Sequence, residues 1–235
     1  MTNDTQLRGH ISKRFDNELE DIRNLVLQMG GLVETQVNEG LRGLLEGDSA
    51  CARKVVENDH EINRMEVEID ERCVEILARR QPAASDLRLI VAIIKTITDL
   101  ERIGDQAEKL GRNQLELVDE GDSSSSYVSL ENLGNRVSNM LHHALDAFAR
   151  MNVDDAVKTI SMDEKINDEF DNLMRQLITH MMEDPRTIKN ALRISWCARA
   201  LERIGDHSKN ICEYVIFLVL GKDVRHIDIK DQADL

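Results

Sequence analysis

The hexapeptide Leu-Glu-Arg-Ile-Gly-Asp occurs twice in this chain, at residues 100–105 and again at residues 201–206. Each copy carries two carboxylates four residues apart. In a helix this spacing places both on one face, with Cβ atoms about 5–6 Å apart. A motif repeated at such a distance indicates an internal duplication. We therefore expect a duplicated helical scaffold built around two acidic sites.

The composition of the 235-residue chain favours helices over a sandwich or barrel. Only two residues are proline and 3% are aromatic, whereas Leu, Ile, Val, Met, Glu, Asp and Arg are abundant. The formal charge of −14 opposes binding to a polyphosphate backbone, so no nucleic-acid partner is expected. Basic protein surfaces or cations are better electrostatic partners. These features predict an all-α protein.

The sequence offers little that is typical of an enzyme or of a membrane-spanning protein. It contains no P-loop, no dinucleotide-binding glycine pattern and no nucleophile elbow. Its four cysteines form no CxxC pair or zinc-type spacing, which is typical of buried thiols in a reduced compartment. No apolar run approaches the length of a transmembrane helix. We expect a non-enzymatic cytoplasmic protein that meets a membrane only through partners.

Apolar residues recur at steps of three and four along most of the chain, the spacing of a buried stripe on a long helix. Long helices joined by short turns pack antiparallel against their sequence neighbours. The sequence thus predicts two tandem three-helix bundles related by an internal repeat. The predicted helices run from Ile11 to about Gly47, from the caps Asp48-Ser49 to just before Gln81-Pro82, from Leu87 to about Val118, from about residue 130 to about Arg150, from Val153 to Met182, and from Asp184-Pro185 to about Leu220.

A polar, serine-rich segment at residues 119–129 is the best candidate for a linker between the two halves. We therefore expect a first bundle at residues 1–118, a second at 130–220 and a loosely ordered tail at 221–235. The halves also align outside the hexapeptide. Asp59 matches Asp163 at an offset of 104, while the hexapeptides are offset by 101, so the turns differ slightly in length.

The second helix of each predicted bundle carries oxygen-bearing side chains that should face the hexapeptide across a helix hairpin. In the first half these residues are separated by four, three and four positions, which places their side chains on one face of the helix. The second stripe is shorter, because Phe170 and Met174 take the positions of Glu66 and Asp70. The candidate site residues are Asp59, Asn63, Glu66, Asp70, Glu101 and Asp105 in the first half, and Asp163, Glu164, Asn167, Asp168, Glu202 and Asp206 in the second.

Clustered carboxylates repel one another, and protonation, an arginine or a bound cation relieves the repulsion. Two alternatives explain the spacing equally well: salt bridges to Arg102 and Arg203, or a bound cation. Carboxylate oxygens suit hard ions such as Mg²⁺, Ca²⁺, Mn²⁺ or oxidised iron and do not suit structural zinc. Gly104 and Gly205 cost about 1 kcal/mol each relative to alanine. Their repetition indicates that a neighbouring backbone or an ion needs room there.

Two further features have alternative interpretations. Glu57-x-x-His60 matches half of the motif pair found in di-iron bundles, so a carboxylate-bridged metalloenzyme is the alternative function, although a solvated helix face explains the same residues. Trp196, the single tryptophan, is expected to be buried in the core or to anchor an interface.

Taken with both Glu-Arg-Ile-Gly-Asp motifs, several segments give the chain a close resemblance to the PhoU family of phosphate-transport regulators. The resemblance covers essentially the full length. The segments are Met-Gly-Gly at residues 29–31, Arg-Gln-Pro at 80–82, Ala-Ser-Asp-Leu-Arg at 84–88 and Ala-Phe-Ala-Arg-Met at 147–151.

The resemblance implies a fold and a function. Family members are tandem three-helix bundles whose E(D)xxxD motifs are associated with metal ions. They repress the phosphate-starvation regulon when phosphate is plentiful, acting between the phosphate ABC transporter, through its ATPase subunit, and a membrane sensor histidine kinase. A homodimer is also expected. The motif fits Glu101/Asp105, Glu202/Asp206, Glu66/Asp70 and Glu164/Asp168 directly, and Asp59/Asn63 and Asp163/Asn167 only with Asn in the last place, so which pair completes each site stays open.

Overall fold

The computed structural model describes residues 13–119 and 128–225, and over these residues it consists of helices and short turns without a strand. A 3-10 turn at Pro185–Thr187 precedes the last helix. The all-α prediction is confirmed. The helices are α1 (Lys13–Glu46), α2 (Ser49–Arg80), α3 (Ala84–Asp119), α4 (Val128–Arg150), α5 (Val153–Ile160), α6 (Asp163–Glu183) and α7 (Ile188–Leu220).

Helices α1, α2 and α3 pack on one another as the first three-helix bundle. The turn between α1 and α2 follows local chemistry, because Gly47 takes a left-handed conformation (φ 71°) that glycine adopts without strain. Asp48 then caps α2, since its Oδ1 accepts hydrogen bonds from the backbone nitrogens of Ala50 at 2.8 Å and Cys51 at 3.2 Å. The predicted start of the second helix is therefore confirmed.

The second bundle differs from the prediction in its middle helix. The helix expected from Val153 to Met182 is interrupted at residues 161–162, so that α5 and α6 are separate. The Ser161 hydroxyl donates to the Lys158 carbonyl oxygen at 2.6 Å, and the Met162 nitrogen donates to the Thr159 carbonyl oxygen at 3.0 Å. These bonds over three residues tighten the turn, and a serine side chain that bonds the backbone competes with helix continuation.

The two bundles share one hydrophobic core. Helix α3 packs along α7, and α1 packs against α4, and the buried apolar residues of both halves form a single connected cluster. Gly30 allows α1 to approach α4 closely, because a Cβ added at this position would lie 2.8 Å from Leu145 Cδ2. Of the predicted domains and linker, residues 1–12, 120–127 and 226–235 lie outside the described residues.

A buried polar cluster lies where α3 meets α7. The Asp99 side chain is almost fully buried; its Oδ1 lies 2.6 Å from His207 Nδ1 and accepts a hydrogen bond from Asn210 Nδ2 at 3.1 Å. Elsewhere between the halves, the Arg23 guanidinium donates to the Ala149 carbonyl oxygen at the end of α4. The bundles are therefore joined by specific polar contacts as well as by apolar packing.

Gly111→Ala is expected to destabilise the protein by about 1–2 kcal/mol, although alanine favours a helix by about 1 kcal/mol. A Cβ at this position would lie 2.8 Å from the Ala52 carbonyl oxygen of α2. Backbone cannot move aside cheaply, and overpacking costs about 1–3 kcal/mol. Urea denaturation followed by circular dichroism measures the change.

Gly31→Ala is the matched control for this prediction. A Cβ at Gly31 meets nothing within 4 Å, so the same substitution in another helix interior should stabilise the protein by up to about 1 kcal/mol. Equal stabilisation by both variants would contradict the close α2–α3 contact at Gly111.

Candidate functional site

The α2–α3 hairpin places the acidic stripe of α2 against the first hexapeptide. Asp59 is 8% exposed; Gln36 Nε2 donates to its Oδ1 at 3.3 Å and Asn63 Nδ2 donates to its Oδ2 at 3.1 Å. The same Oδ1 lies 3.5 Å from where a Cβ of Gly104 would be. The structure thus brings Asp59 and the hexapeptide together, as the sequence predicts.

The repeated glycine makes room for a repeated isoleucine. A Cβ at Gly104 would lie 3.0 Å from Ile62 Cδ1, and a Cβ at Gly205 would lie 3.3 Å from Ile166 Cδ1. Both isoleucines are buried on the helix that faces the hexapeptide. The glycines therefore allow close helix packing in both halves, and the side chain that needs the space is the isoleucine.

The carboxylates of the first half form a crowded group that is partly buried except for the exposed Asp70. We call it the first cluster: Asp59, Glu66, Asp70, Glu101, Asp105 and Glu108. Burial raises the pKa of Asp59, and the charges of Glu108 and Asp105 raise it further. Burial is also the main cause that raises the pKa of Glu66 and of Glu101, to which neighbouring carboxylates add. The cluster resists carrying its full negative charge.

Arginine relieves this repulsion only in part. Arg102 Nε lies 3.5 Å from Glu101 Oε2, and Nη1 lies 3.6 Å from Asp105 Oδ2, but the arginine side chain is 56% exposed. Exposed pairs of this length contribute little. The salt-bridge explanation is therefore correct for Arg102 but leaves most of the negative charge uncompensated.

The second half has a different charge arrangement around its hexapeptide; its group, Asp163, Glu202, Asp206, Lys209 and Glu213, is called the second cluster. Lys209 Nζ donates to Asp163 Oδ2 at 3.0 Å, and Asn167 Nδ2 reaches the same oxygen at 3.4 Å. Burial raises the pKa of Asp206, and the charges of Glu202 and Asp163 add to the effect. A lysine therefore lies among these acids.

Glu202 is paired with an arginine one turn earlier on α7. Arg199 Nη1 lies 3.0 Å from Glu202 Oε1, and the Arg199 guanidinium stacks over the Phe170 ring at 4.5 Å from the ring centre. The sequence predicts a salt bridge from Arg203 instead, but Arg203 is exposed. Where the first half has Glu66, the second half thus has Phe170, whose aromatic ring stacks with the Arg199 guanidinium.

Glu164 and Asp168 were also candidate ligands, and both are exposed on α6. The charges that act on Asp206 and Lys209 come instead from the second cluster and His207. Sequence reasoning missed Glu108 and Lys209. The repeat could have identified them, because each lies seven residues after a hexapeptide glutamate.

The donor chemistry of the first cluster fits a hard cation, because its donors are carboxylate oxygens and burial raises the pKa values of Asp59, Glu66 and Glu101. As the side chains stand, no three His, Cys, Asp or Glu residues within 13–119 and 128–225 are placed to hold a metal ion. These side chains would have to rotate before three of them could contact one ion. The di-iron motif gains no support from His60, whose Nδ1 lies 2.6 Å from the Glu57 carbonyl oxygen on an exposed face.

Large apolar side chains are exposed on the α6–α7 hairpin. Trp196 is 55% exposed and Met182 is 80% exposed. The expectation that Trp196 is a core residue is wrong, which leaves the interface interpretation. Exposed apolar groups of this kind mark contact surfaces. The others on this hairpin are Ile178, Ile188 and Leu192. Among the described helices, none is both long and apolar enough to span a membrane.

Comparisons with known proteins agree with the duplicated fold. The family model described as PhoU domain matches residues 26–113 and 130–215. A Pseudomonas putida protein named phosphate-specific transport system accessory protein PhoU homolog is 52% identical over 230 residues, covering 98% of this chain and 90% of the relative. The Escherichia coli protein named phosphate-specific transport system accessory protein PhoU is 49% identical over 221 residues, covering 94% and 91%.

Two crystal structures are similar to this chain. PhoU from Pseudomonas aeruginosa matches with a TM-score of 0.86 and 52% identity, covering 88% of this chain and all of the other. The phosphate transport system regulatory protein PhoU from Streptococcus pneumoniae matches with a TM-score of 0.82 and 30% identity, covering 89% and 99%. The prediction of tandem bundles agrees with these matches.

Proposed function

Because this chain belongs to the PhoU family, whose named members are accessory and regulatory proteins of phosphate transport, we propose that it represses the phosphate-starvation genes and restrains phosphate uptake when phosphate is plentiful. It acts in the cytoplasm as a non-enzymatic adaptor. Its partners are the ATPase subunit of the phosphate ABC transporter and the cytoplasmic part of a sensor histidine kinase, and it works as a homodimer.

The observation that carries this proposal is the match over 98% of the chain to a phosphate-specific transport accessory protein at 52% identity. The surface supports the adaptor role, because the exposed apolar side chains of α6 and α7 include Trp196, an aromatic residue of the type that anchors interfaces. The chain is strongly acidic, which steers it towards basic partner surfaces.

A hard cation at the first cluster is part of the proposal. Asp59, Glu66, Asp70, Glu101 and Asp105 would hold it. The ion supplies positive charge that lets these carboxylates ionise together between α2 and α3. Gln36 and Asn63 already orient Asp59 by donating to its two oxygens. A cation here therefore determines how tightly α2 and α3 can pack on their polar side.

Deleting the gene is expected to raise alkaline phosphatase activity strongly in phosphate-rich medium, because the repressing adaptor is lost. Reintroducing the wild-type gene should restore repression. Activity is measured in parallel cultures with excess and with limiting phosphate. Continued repression in the deletion strain, with the kinase and transporter genes intact, would show that the chain is not the adaptor.

A further inference from the structure

The second cluster contains a charge pair whose polarity is reversed relative to the first. At the offset of 101 that superposes the hexapeptides, Glu108 aligns with Lys209 and Arg112 aligns with Glu213. Each pair spans one helical turn, so each lies on one face of its helix. Helix α3 thus has acid before base, and α7 has base before acid.

The reversal decides which charge faces the aspartate of the neighbouring helix. In the first half, the Glu108 charge acts on Asp59 and raises its pKa, while Arg112 Nη2 pairs with Glu108 Oε1 at 2.5 Å. In the second half, Lys209 bonds directly to Asp163, the residue aligned with Asp59, at 3.0 Å. Asp163 therefore bonds directly to a cation, whereas Asp59 interacts with the charges of both Glu108 and Arg112 without a direct bond to either.

The lysine keeps its charge in this position. Lys209 Nζ donates to Asp163 Oδ2 at 3.0 Å, and the charges of Glu213 and Asp206 also act on it. The Asp163 side chain is only 13% exposed, so the attraction is less screened than on the open surface. An ammonium therefore occupies the cation position beside Asp163.

A divalent ion would compete with this ammonium for the same oxygen. Hard ions bind carboxylate oxygens at about 2.0–2.6 Å, and Asp163 Oδ2 already accepts from Lys209 and Asn167. Asp163 Oδ1 is buried and has no hydrogen-bond partner among the described residues. A second positive charge at this carboxylate would lie next to the ammonium.

The remaining acids of the second half are also fewer. Phe170 and Met174 occupy the positions of Glu66 and Asp70, and Arg199 pairs with Glu202. The first cluster has six acids with Arg102 and Arg112 as its basic neighbours. Arg112 contacts Glu108 directly, so two arginines serve six acids there, whereas in the second cluster Arg199 and Lys209 serve four acids.

We propose that Lys209 is the resident cation of the second cluster and that divalent-metal binding by this chain is confined to the first. The inference rests on the proposed cation role of the first cluster. Lys209 thus determines which half of the duplicated scaffold responds to metal, and it offsets part of the negative charge of the second half without an ion.

The first test counts bound Mn²⁺ by equilibrium dialysis of the full chain. The paired substitution Glu101→Gln/Asp105→Asn should remove at least nine-tenths of the tightly bound Mn²⁺. The matched pair Glu202→Gln/Asp206→Asn should leave it unchanged, and Lys209→Gln should add binding. A comparable loss of Mn²⁺ in both paired variants would overturn the confinement to the first cluster.

The second test needs no metal and separates this inference from the proposed function. In chelator-treated buffer at pH 7.5, Lys209→Met should lower the melting temperature by about 3–6 °C. Glu108→Met, its aligned control, should leave the temperature unchanged or raise it. If wild type binds no Mn²⁺ but these shifts are found, the metal part of the proposed function fails and Lys209 remains the resident cation. An unchanged or raised temperature for Lys209→Met overturns that role.

Discussion

Removing divalent cations is expected to lower the melting temperature of the wild-type protein by about 5–10 °C, the largest single effect of solution conditions on this fold. An ion present at about 100 times its Kd stabilises the folded state by about 2.7 kcal/mol. One kcal/mol corresponds to about 2–4 °C in a chain of this length. The measurement is thermal unfolding by circular dichroism with excess Mn²⁺ and with a chelator.

The variant Glu101→Gln/Asp105→Asn should lose this dependence. It should also melt above the chelated wild type, because it removes two charges from a group that repels itself. A wild type and variant that respond equally to chelation would contradict a cation between α2 and α3.

The pH dependence of the melting temperature, measured in the presence of chelator, provides a control for which the direction of change can be predicted. The pKa values of Asp59, Glu66 and Glu101 are raised in the folded state. Their contribution to stability is therefore fully present below the ordinary carboxyl pKa and is lost as pH rises through the raised values. Lowering the pH from 7.5 towards 5 should thus narrow the gap between the chelated wild type and the variant. A gap that widens instead would rule out repulsion as its cause.

The second large effect is expected at the junction of the two halves, where Asp99→Ala should destabilise the protein by roughly 3 kcal/mol. Asp99 is 7% exposed and joins α3 to His207 and Asn210 on α7. Removing it leaves His207, Asn210 and Tyr214 of α7 without this partner in a largely buried place, which costs more than the hydrogen bonds themselves contribute. Urea denaturation gives the change in free energy.

Two variants provide the controls for Asp99. Asp99→Asn keeps an acceptor oxygen and should recover part of the loss, while Glu71→Ala removes an exposed acid of α2 and should change stability by less than about 0.5 kcal/mol. The urea m-value is a second readout, because halves that separate before unfolding give two transitions or a lower slope. A change below about 0.5 kcal/mol for Asp99→Ala would mean that apolar packing alone holds α3 against α7.

Much of the first bundle could be predicted from local pattern. Apolar spacing predicts α1, α2 and α3, and Asp48 is predicted as a cap of α2. Counting residues from the α2–α3 turn predicts that the hexapeptide lies opposite the acidic stripe. In the structure, Gly104 lies close to Asp59 and Ile62. These features depend on residues within one helix or one hairpin. Short-range periodicity and turn chemistry are sufficient to determine them.

The features that were missed depend on competition or on distance. The break after α5 arises because the Ser161 hydroxyl bonds the backbone, an outcome that apolar spacing does not reveal. The contact between Asp99 and His207 joins residues 108 positions apart, and no local pattern says which faces of two bundles meet. Lys209 lies outside the hexapeptide, and its contact with Asp163 depends on how α6 packs on α7.

Helix α3 belongs to both polar centres of the molecule. Glu101 lies among the acids that face α2, and two residues earlier Asp99 contacts α7. Side chains two residues apart point to nearly opposite sides of a helix. Helix α3 therefore carries side chains of both the proposed ion site and the junction with α7. The two halves share this helix, so a substitution at either position alters an element on which both bundles pack.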